Sequence, residues 1–185
     1  SGAQMDVKLN NAAVGWRQVL HLHAGDILEI GAATDGVYGY LHVSGGFRTE
    51  RMLGSRSTHL RAGFGHVLKS GQMLEIGDAD RVVGVSGLAN PDYFKRRTLR
   101  ALWGPQSHYF DESERAKFAG AKFTVSKMRD RMGIQVAPDC GPIHSSAGLT
   151  IASDSISLGD IQITGDGTPA ILLADRGPSG GYPRI

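Results

Sequence analysis

The sequence has little of several features that mark specialised classes of protein. Its 185 residues include one cysteine, Cys140, which excludes an internal disulfide framework and a cysteine-rich metal site. Such a sequence suits a reducing compartment, and we expect the protein to be cytoplasmic. No apolar run approaches the roughly 18 residues of a membrane-spanning helix, and no charged-then-apolar leader opens the chain. We therefore expect no membrane association.

Charge of one sign is also scarce. With 20 Lys and Arg against 18 Asp and Glu, the formal net charge is +2, which is too small to imply a general polyanion-binding surface. A short basic cluster comprises Lys95, Arg96, Arg97 and Arg100. Because it lacks interleaved aromatic residues, we interpret it as a solvated face and expect no nucleic-acid partner.

Motifs for metal ions and nucleotides are missing as well. His21 and His23 would share one face of a strand, but no third ligand lies at a recognisable spacing, so no metal site is predicted. The sequence has no G-x-x-x-x-G-K-[ST] loop, no G-x-G-x-x-G motif after a strand and no G-x-S-x-G elbow. The chain alone therefore carries no nucleotide-binding signature.

Glycine, in contrast, is abundant. Twenty-six glycines and only seven prolines lie among short β-branched runs, which indicates many tight turns joining short strands. The segment HAGDILEIG (23–31) recurs as KSGQMLEIGD (69–78). Each copy is a glycine turn followed by the period-2 pattern of a half-buried strand. The recurrence predicts a duplicated β-unit.

The chain divides into two predicted lobes. Asn90 and Pro91 suit the N-cap and first position of a helix, and we place the seam there, between a first lobe, 1–90, and a second, 91–185. With the glycine turns and short strands on both sides, the sequence predicts a mainly β, barrel-like protein with one or two short helices.

Two local elements are predicted within the second lobe. The strongest helix signal is at 111–120, where Asp111 caps, Glu114 completes a capping box and Gly120 ends the helix. Further on, the glycines around Asp166 in Gly165-Asp166-Gly167 predict the turn of a β-hairpin.

Three stretches are more polar than a scaffold requires. They are GSRSTHLRAG (54–63), MRDRMG (128–133) and LLADRGPSGGYPRI (172–185). Taken alone, the first has an ordinary interpretation as a solvated loop, and each Arg–Asp neighbour pair in the other two as a structural ion pair. Together they favour an anion site, because arginine matches carboxylate or phosphate oxygens two at a time. Adjacent glycines also let backbone N–H groups approach an oxyanion.

At these stretches the sequence resembles a known family. The segments MLGSRSTHLRAGFG, WGPQSHYF, VSKMRDRMGIQV and GDIQITGDGTPAILLADRGPSGGYPRI are similar to the biotin-dependent carboxyltransferase family, also called allophanate hydrolase subunit 2. That family includes the C subunit of bacterial ATP-dependent 5-oxoprolinase. The resemblance covers essentially all 185 residues, and the combination of G-S-R-S-T, D-R-M-G and G-G-Y-P is highly specific.

The resemblance implies a fold, partners and a reaction. The fold would consist of cyclophilin-like β-barrel modules. The partners would be the A and B subunits of the complex, of which the second is related to allophanate hydrolase subunit 1. The complex would convert 5-oxo-L-proline to L-glutamate with ATP hydrolysis, and ATP would enter through the complex. Family chains extend further at both ends, so this sequence is expected to be a fragment in which both lobes are incomplete.

The residue roles follow from residue type and family position. The predicted catalytic residues are Arg56, Asp130, Arg131 and Asp175, and the predicted substrate-binding residues are Ser55, Ser57, Thr58, Arg61, Arg176, Gly180, Gly181 and Tyr182. The arginines would bind substrate or phosphoryl oxygens, and the hydroxyls would donate hydrogen bonds. The two aspartates would act as general bases or orient the arginines. Tyr182 would close the pocket.

Two other functions remain open at the level of sequence. The same residues would suit carboxyl transfer from biotin to urea or a related amide, with a biotin carrier as the partner. A non-catalytic regulatory module that docks a partner similar to the B subunit would use the same polar groove. Also, Gly177-Pro178-Ser179 stands where many family members carry Gln-Thr and a small residue.

Overall fold

The computed structural model describes residues 1–78, 87–89, 96–148 and 150–185, except for the side chain of Arg61. The chain forms two compact units, Ser1–Thr98 and Leu99–Ile185. The division falls after residue 98, whereas the sequence suggested a seam between residues 90 and 91. The helix start predicted at Asn90 and Pro91 lies outside the described residues.

An antiparallel three-stranded sheet organises the first unit. Its central strand β1 (Gly2–Leu9) is flanked by β2 (Ala12–Val14) and β3 (Leu28–Gly39). Asn10 and Asn11 turn the chain between β1 and β2 with φ angles of 51° and 65°, a conformation that asparagine tolerates better than most residues. The register between β1 and β3 shifts at three places, so that the shorter β1 spans the longer β3.

The first unit buries few apolar side chains. Among its described residues, Ala3 is the one hydrophobic residue that is fully buried, while Ile30 and Val37 on β3 are about half exposed. The sheet thus combines extensive backbone pairing between β1 and β3 with little burial of apolar side chains.

The duplicated segment forms the same turn twice. In the first copy, His23 N–H donates to the Asp26 carboxylate (2.7 Å) and Asp26 N–H donates to His23 O (3.1 Å). In the second copy, Lys69 and Gln72 make the equivalent bonds, both at 3.1 Å. Gly25 and Gly71 have φ angles of 92° and 77°, as the third position of a type II turn requires.

The strands that follow these turns differ between the copies. The first copy continues into β3, as predicted. Among the described residues, the second forms an isolated bridge between Phe47 and Ile76 and no longer strand. The turn is thus duplicated in the structure, but a full second strand is not formed there.

The second unit contains one α-helix and six strands among its described residues. They are α1 (Glu112–Gly120), β4 (Phe123–Arg129), β5 (Gly133–Pro138), β6 (Asp154–Ser155), β7 (Ile161–Ile163), β8 (Pro169–Leu172) and β9 (Ser179–Gly180). Four strands form an antiparallel sheet in the order β4-β5-β8-β7, and β6 pairs with β9 as a short ribbon. The last residues extend the sheet, because Ile163 N–H donates to Pro183 O and Ile185 N–H to Ile161 O.

The hydrophobic core lies in the second unit. Its buried cluster contains Phe110, Ile143, Ile163 and Ile185, against which Tyr109, Phe118 and Ile161 pack. Segments far apart in sequence, including the terminal isoleucine, therefore meet in one core.

Helix α1 begins at the predicted residue. The Asp111 side chain accepts hydrogen bonds from Glu114 N–H (2.8 Å) and Ser113 Oγ (2.7 Å), which lower the pKa of the Asp111 carboxyl, the hydroxyl bond most strongly. The predicted reciprocal bond of a capping box is not formed among the described residues. The Glu114 carboxylate instead accepts from the N–H of His144 (2.9 Å) and so attaches the helix to the rest of the unit.

The predicted hairpin is confirmed. Strands β7 and β8 pair in antiparallel register, and Gly167, with a φ of 82°, donates its N–H to Thr164 O (2.8 Å). Asp166 accepts from Thr168 N–H (3.1 Å), and bonds from the Thr164 hydroxyl and this N–H lower the pKa of its carboxyl.

The prediction of a mainly β protein with one short α-helix is confirmed, but barrel closure is not. None of the sheets within the described residues joins its two edge strands, and two 3₁₀ turns, Leu60–Ala62 and Ser107–Tyr109, complete the regular structure there. Cyclophilin-like closure stays a prediction. No described helix has the length and apolar character needed to cross a bilayer.

Candidate functional site

The three polar stretches are distributed over both units. The stretch that contains Arg56 lies in the first unit, and those that contain Arg131 and Asp175 lie in the second. The second and third stretches are brought into contact in the structure. Convergence of the first stretch with the other two stays a prediction.

The first stretch begins within a tight turn. Met52 N–H donates to Ser55 O (2.8 Å) and Ser55 N–H to Met52 O (3.0 Å). The two residues between them, Leu53 and Gly54, have φ angles of 50° and 81°, which is typical of a type I′ turn. Glycine suits this conformation and leucine does not, so the turn carries strain at Leu53, which is almost fully exposed.

Two of the three predicted hydroxyls in this stretch contact the backbone. Ser55 Oγ accepts from Ser57 N–H (3.0 Å), and Thr58 Oγ1 donates to His66 O (3.4 Å). Arg56 is exposed and makes no hydrogen bond or ion pair with the described residues. Its guanidinium is therefore accessible to a ligand. The side chain of Arg61 lies outside what the structure describes.

The second stretch is shaped by Asp130, which follows β4. Its Oδ1 accepts from Met132 N–H (2.7 Å) and Gly133 N–H (3.2 Å), while its own N–H donates to Gly133 O (3.0 Å). A carboxylate that accepts backbone N–H bonds two and three residues on is a turn-forming group. This geometry supports an orienting role for Asp130. Its bonds to Met132 and Gly133 fix the backbone conformation of Arg131, which lies between Asp130 and Met132.

The third stretch meets the second at an ion pair. Arg131 Nε lies 2.9 Å from Asp175 Oδ2, and Asp175 N–H donates to Arg131 O (3.0 Å). Leu173 N–H also donates to Met132 O (2.9 Å), so the chain after β8 runs beside the β4–β5 turn. The Arg131 and Asp175 side chains are 50% and 37% exposed, which leaves both accessible to a small ligand.

Arg176, next in sequence, is held differently. Its Nε donates to Ile156 O (3.2 Å), and Ile156 N–H donates to Pro178 O (3.2 Å). Ser179 and Gly180 then pair with β6. The C-terminal loop (residues 174–182) is therefore attached both to the β4–β5 turn and to the segment around β6.

The Gly-Gly-Tyr motif ends the C-terminal loop. Gly181 O accepts from Ile151 N–H (2.8 Å), and Tyr182 O accepts from Gln162 Nε2 (3.3 Å). The Tyr182 side chain is exposed to solvent, as a residue that closes a pocket must be before a ligand binds. The predicted substrate contacts of Gly180, Gly181 and Tyr182 stay predictions.

Two buried polar residues near this loop were not found by sequence analysis. Gln162 on β7 and Arg184 after the motif are 6% and 7% exposed. Arg184 forms ion pairs with Asp154 and with Asp160 (3.1 Å), and it donates to Gln106 Oε1 (2.7 Å). The sequence signal that could have indicated a buried Gln162 is its position between two isoleucines, in Ile161-Gln162-Ile163. Strand alternation alone would put such a residue on an outer face, whereas Gln162 is buried like Ile163 beside it.

The described residues contain no group of three or more His, Cys, Asp or Glu side chains arranged to hold a metal ion. The ion pairs beside the C-terminal loop are formed by arginines and aspartates. Such a set binds oxyanions and polar amides through hydrogen bonds and charge.

Comparison with known proteins identifies the family. Residues 1–185 match the carboxyltransferase domain, subdomain A and B. The chain belongs to this family. The C subunit of the 5-oxoprolinase of Escherichia coli (strain K12) is 31% identical over 192 aligned residues, which span 100% of this chain and 60% of that protein. This chain therefore corresponds to less than two thirds of its curated relative.

Solved structures give the same relationship. The urea amidolyase of Kluyveromyces lactis has a TM-score of 0.74 and 28% identity, over 100% of this chain and 13% of that one. The urea carboxylase of the same organism has a TM-score of 0.73 and 26% identity, over 100% of this chain and 18% of that one. The family resemblance seen in the sequence is thus confirmed, and the structural neighbours carry the same domain.

Proposed function

We propose that this chain belongs to one component of an ATP-dependent 5-oxoprolinase complex, which hydrolyses 5-oxo-L-proline to L-glutamate together with the A and B subunits. The observation that carries the proposal is 31% identity to the C subunit of a 5-oxoprolinase over the whole chain. The paired Arg131 and Asp175, both accessible to solvent, support a polar site in the second unit. The complex would work in the cytoplasm.

The chemistry requires groups of this kind. A lactam resists water because amide resonance makes its carbon a poor electrophile. Phosphoryl transfer from ATP to the amide oxygen would release ADP and give an O-phosphorylated lactam. Water would add to its carbon, with charge developing on oxygen, and the ring C–N bond would break to leave an amine and an acyl phosphate. A second water would then release phosphate and the carboxylate. Arg131 would bind these oxygens, and Asp175, oriented by Arg131 Nε at 2.9 Å, would be the general base.

The remaining residues would complete the site. Arg56 and Arg176 would bind further oxygens of the substrate or phosphoryl group. Hydrogen bonds would come from the neighbouring hydroxyls and glycines of Ser55, Ser57, Thr58, Gly180 and Gly181, and Arg61 would add a cation. Tyr182 would cover the substrate. ATP would bind through the complex, and no metal is proposed on this chain.

A second function has its own support. The likeness to Kluyveromyces lactis urea carboxylase favours carboxyl transfer from biotin to urea or a related amide. In that reaction the same arginines would hold the carboxylate, and a biotin carrier would be the partner. A third interpretation assigns the chain a regulatory role, in which it docks a protein similar to the B subunit and performs no chemistry.

One experiment separates the three. The full-length protein is co-expressed with neighbours that resemble the A and B subunits, and ATP consumption is measured with 5-oxoproline and with urea, each with and without avidin. Turnover on 5-oxoproline that avidin does not affect supports the first proposal. Avidin-sensitive turnover on urea overturns it in favour of the second. Turnover that is unchanged by Arg131→Ala favours the regulatory role.

A further inference from the structure

Gln162 is a buried polar side chain outside the predicted site. It lies at the middle of β7 and is 6% exposed. Its amide reaches across to the end of the C-terminal loop, where Nε2 donates to Tyr182 O (3.3 Å). A buried amide that lacks a partner is costly, so this bond fixes the carbonyl of Tyr182 and the amide of Gln162 to one another.

The loop approaches Gln162 closely at a second point. A Cβ atom on Gly180 would lie 2.4 Å from Gln162 Nε2 and 3.3 Å from its Cδ. Gly180 does not have a positive φ, so its backbone would accept an alanine without strain. The close approach to Gln162, and not backbone conformation, is therefore what requires glycine at position 180.

Other attachments hold the loop at its start and on either side of Tyr182, where Gly181 O accepts from Ile151 N–H (2.8 Å) and Pro183 O accepts from Ile163 N–H (2.9 Å). Asp175 is held by Arg131, Arg176 by Ile156 O, and Ser179 by its pairing with Ser155. Gln162 acts two residues beyond the β6–β9 pairing, at Tyr182. It adds a side-chain bond to the carbonyl of Tyr182 itself, between the backbone bonds at Gly181 and Pro183.

We infer that Gln162 is a positioning residue for the C-terminal loop: its amide, lodged against Gly180 and bonded to Tyr182 O, sets where Tyr182 lies over the ligand. This inference rests on the proposed function of the loop in substrate binding. Gln162 itself touches no substrate. Its loss weakens substrate binding more than it slows the chemical step, because Arg131 and Asp175 keep their own contacts.

The two contacts make a specific genetic prediction. Gly180→Ala pushes the Gln162 amide away from Tyr182 O, and Gln162→Ala removes the amide. Both changes break the same bond, so together they should cost no more than either alone. Gly177→Ala is the matched control in the same loop, since a Cβ there would meet only Ser179 O at 3.5 Å, an ordinary contact, and the backbone φ is not positive.

The four variants are compared in the co-expressed complex by KM and kcat for 5-oxoproline, and by amide hydrogen exchange over residues 176–182. We expect Gln162→Ala and Gly180→Ala each to raise KM about tenfold with kcat changed less than about threefold. The double variant should match either single one, and Gly177→Ala should stay within about twofold of the parent.

Two outcomes overturn the inference. One is an additive double variant, in which KM rises by about the product of the single effects. The other is a Gly180→Ala protein that behaves like Gly177→Ala, a comparison that holds even if Gln162→Ala fails to fold. If the complex turns over neither 5-oxoproline nor urea, the proposed function fails separately. In that case the amide hydrogen exchange measurement tests the inference by itself. Faster exchange over residues 180–182 in both single variants supports the positioning role of Gln162, and unchanged exchange rejects it.

Discussion

Arg131 and Asp175 are joined twice, once through their side chains at 2.9 Å and once through the Asp175 N–H and the Arg131 carbonyl at 3.0 Å. The backbone bond fixes the relative position of the two residues, and the side-chain bond orients the carboxylate. Asp130 reinforces this arrangement from the other side of Arg131, because it accepts the N–H groups of Met132 and Gly133. The pair is therefore held in a defined geometry while its side chains remain in contact with solvent.

Arg131→Ala should abolish activity without unfolding the protein. An exposed ion pair contributes only about 0–1 kcal/mol to stability, whereas loss of a positioned donor typically lowers turnover by about 100-fold or more. Arg131→Lys should rescue little, since lysine lacks the planar fork of donors. Turnover of the complex and urea unfolding of the variant measure the two effects.

Arg129→Ala is the matched control for that prediction. Arg129 ends β4 on the same hairpin and is exposed, and it makes no ion pair within the described part of the chain. Equal losses of activity in Arg129→Ala and Arg131→Ala would contradict the assigned role, because they would indicate a general effect of positive charge on this surface.

Gly167→Ala should destabilise the second unit strongly. Gly167 has a φ of 82°, and a Cβ there would lie 2.6 Å from Pro142 Cβ and 2.9 Å from the backbone of Ile143. Strain and collision together should cost more than about 2 kcal/mol in free energy of unfolding. In Gly159→Ala, φ is 89° but no atom lies within 4 Å, so only the conformational cost of about 1 kcal/mol is expected. Equal losses of unfolding free energy in Gly167→Ala and Gly159→Ala, measured by chemical denaturation, would show that the collision with Pro142 and Ile143 contributes nothing.

Acid should loosen the start of α1 through Asp111. Its carboxyl has a pKa below the ordinary value of 3.8 because Ser113 Oγ and Glu114 N–H donate to it. A carboxyl with a lowered pKa stabilises the fold at pH values above its unfolded pKa, and this contribution is lost as pH falls through the folded pKa. Asp111→Asn keeps a capping side chain that does not titrate. The protection of the amides of residues 113–115, measured as exchange relative to the unfolded chain at each pH from 6 to about 2, should fall more in the parent protein than in the variant. Identical pH profiles would exclude Asp111 as the group responsible.

Arg184→Met should destabilise the second unit by roughly 1–3 kcal/mol, because Gln106 Oε1 and Ser155 O lose the buried donor they share. The change leaves Asp154 and Asp160 without their common partner. Lys127→Met, at an exposed position on β4, provides a control for the loss of one positive charge. A loss of stability no larger than that of the control, measured by urea unfolding, would show that Arg184 contributes little to the fold.

Sequence patterns predicted the elements whose causes are local. The helix that begins after Asp111 and the hairpin around Gly167 follow from capping and turn residues within a few positions of each other. The contact between the stretches of Arg131 and Asp175 was also suggested by sequence. It depended on the family's motifs as much as on residue type, because nothing in a single sequence measures the distance between separate loops.

The contacts that escaped prediction are those between distant segments. Arg184 meets Gln106 across 78 positions, and Gln162 meets Tyr182 across 20. Buried polar residues are uncommon, so a sequence pattern assigns them to the surface unless their partners are known. The second copy of the duplicated segment was mispredicted as a full strand for a related reason. Its alternation suits a strand, but within the part of the chain that the structure describes its pairing is limited to the bridge between Phe47 and Ile76.

The two copies of that segment use different chemistry for one shape. Where the first turn accepts an N–H with the carboxylate of Asp26, the second does so with the neutral amide of Gln72. The bend itself uses an oxygen at its fourth position and a glycine at its third, and in the first copy the Asp26 carboxylate also accepts from Asn10 Nδ2 (2.7 Å). We therefore expect that the tetrapeptides 23–26 and 69–72 can replace one another. The exchange would move a titratable carboxylate from the first copy to the second and leave the backbone conformation of both turns unchanged.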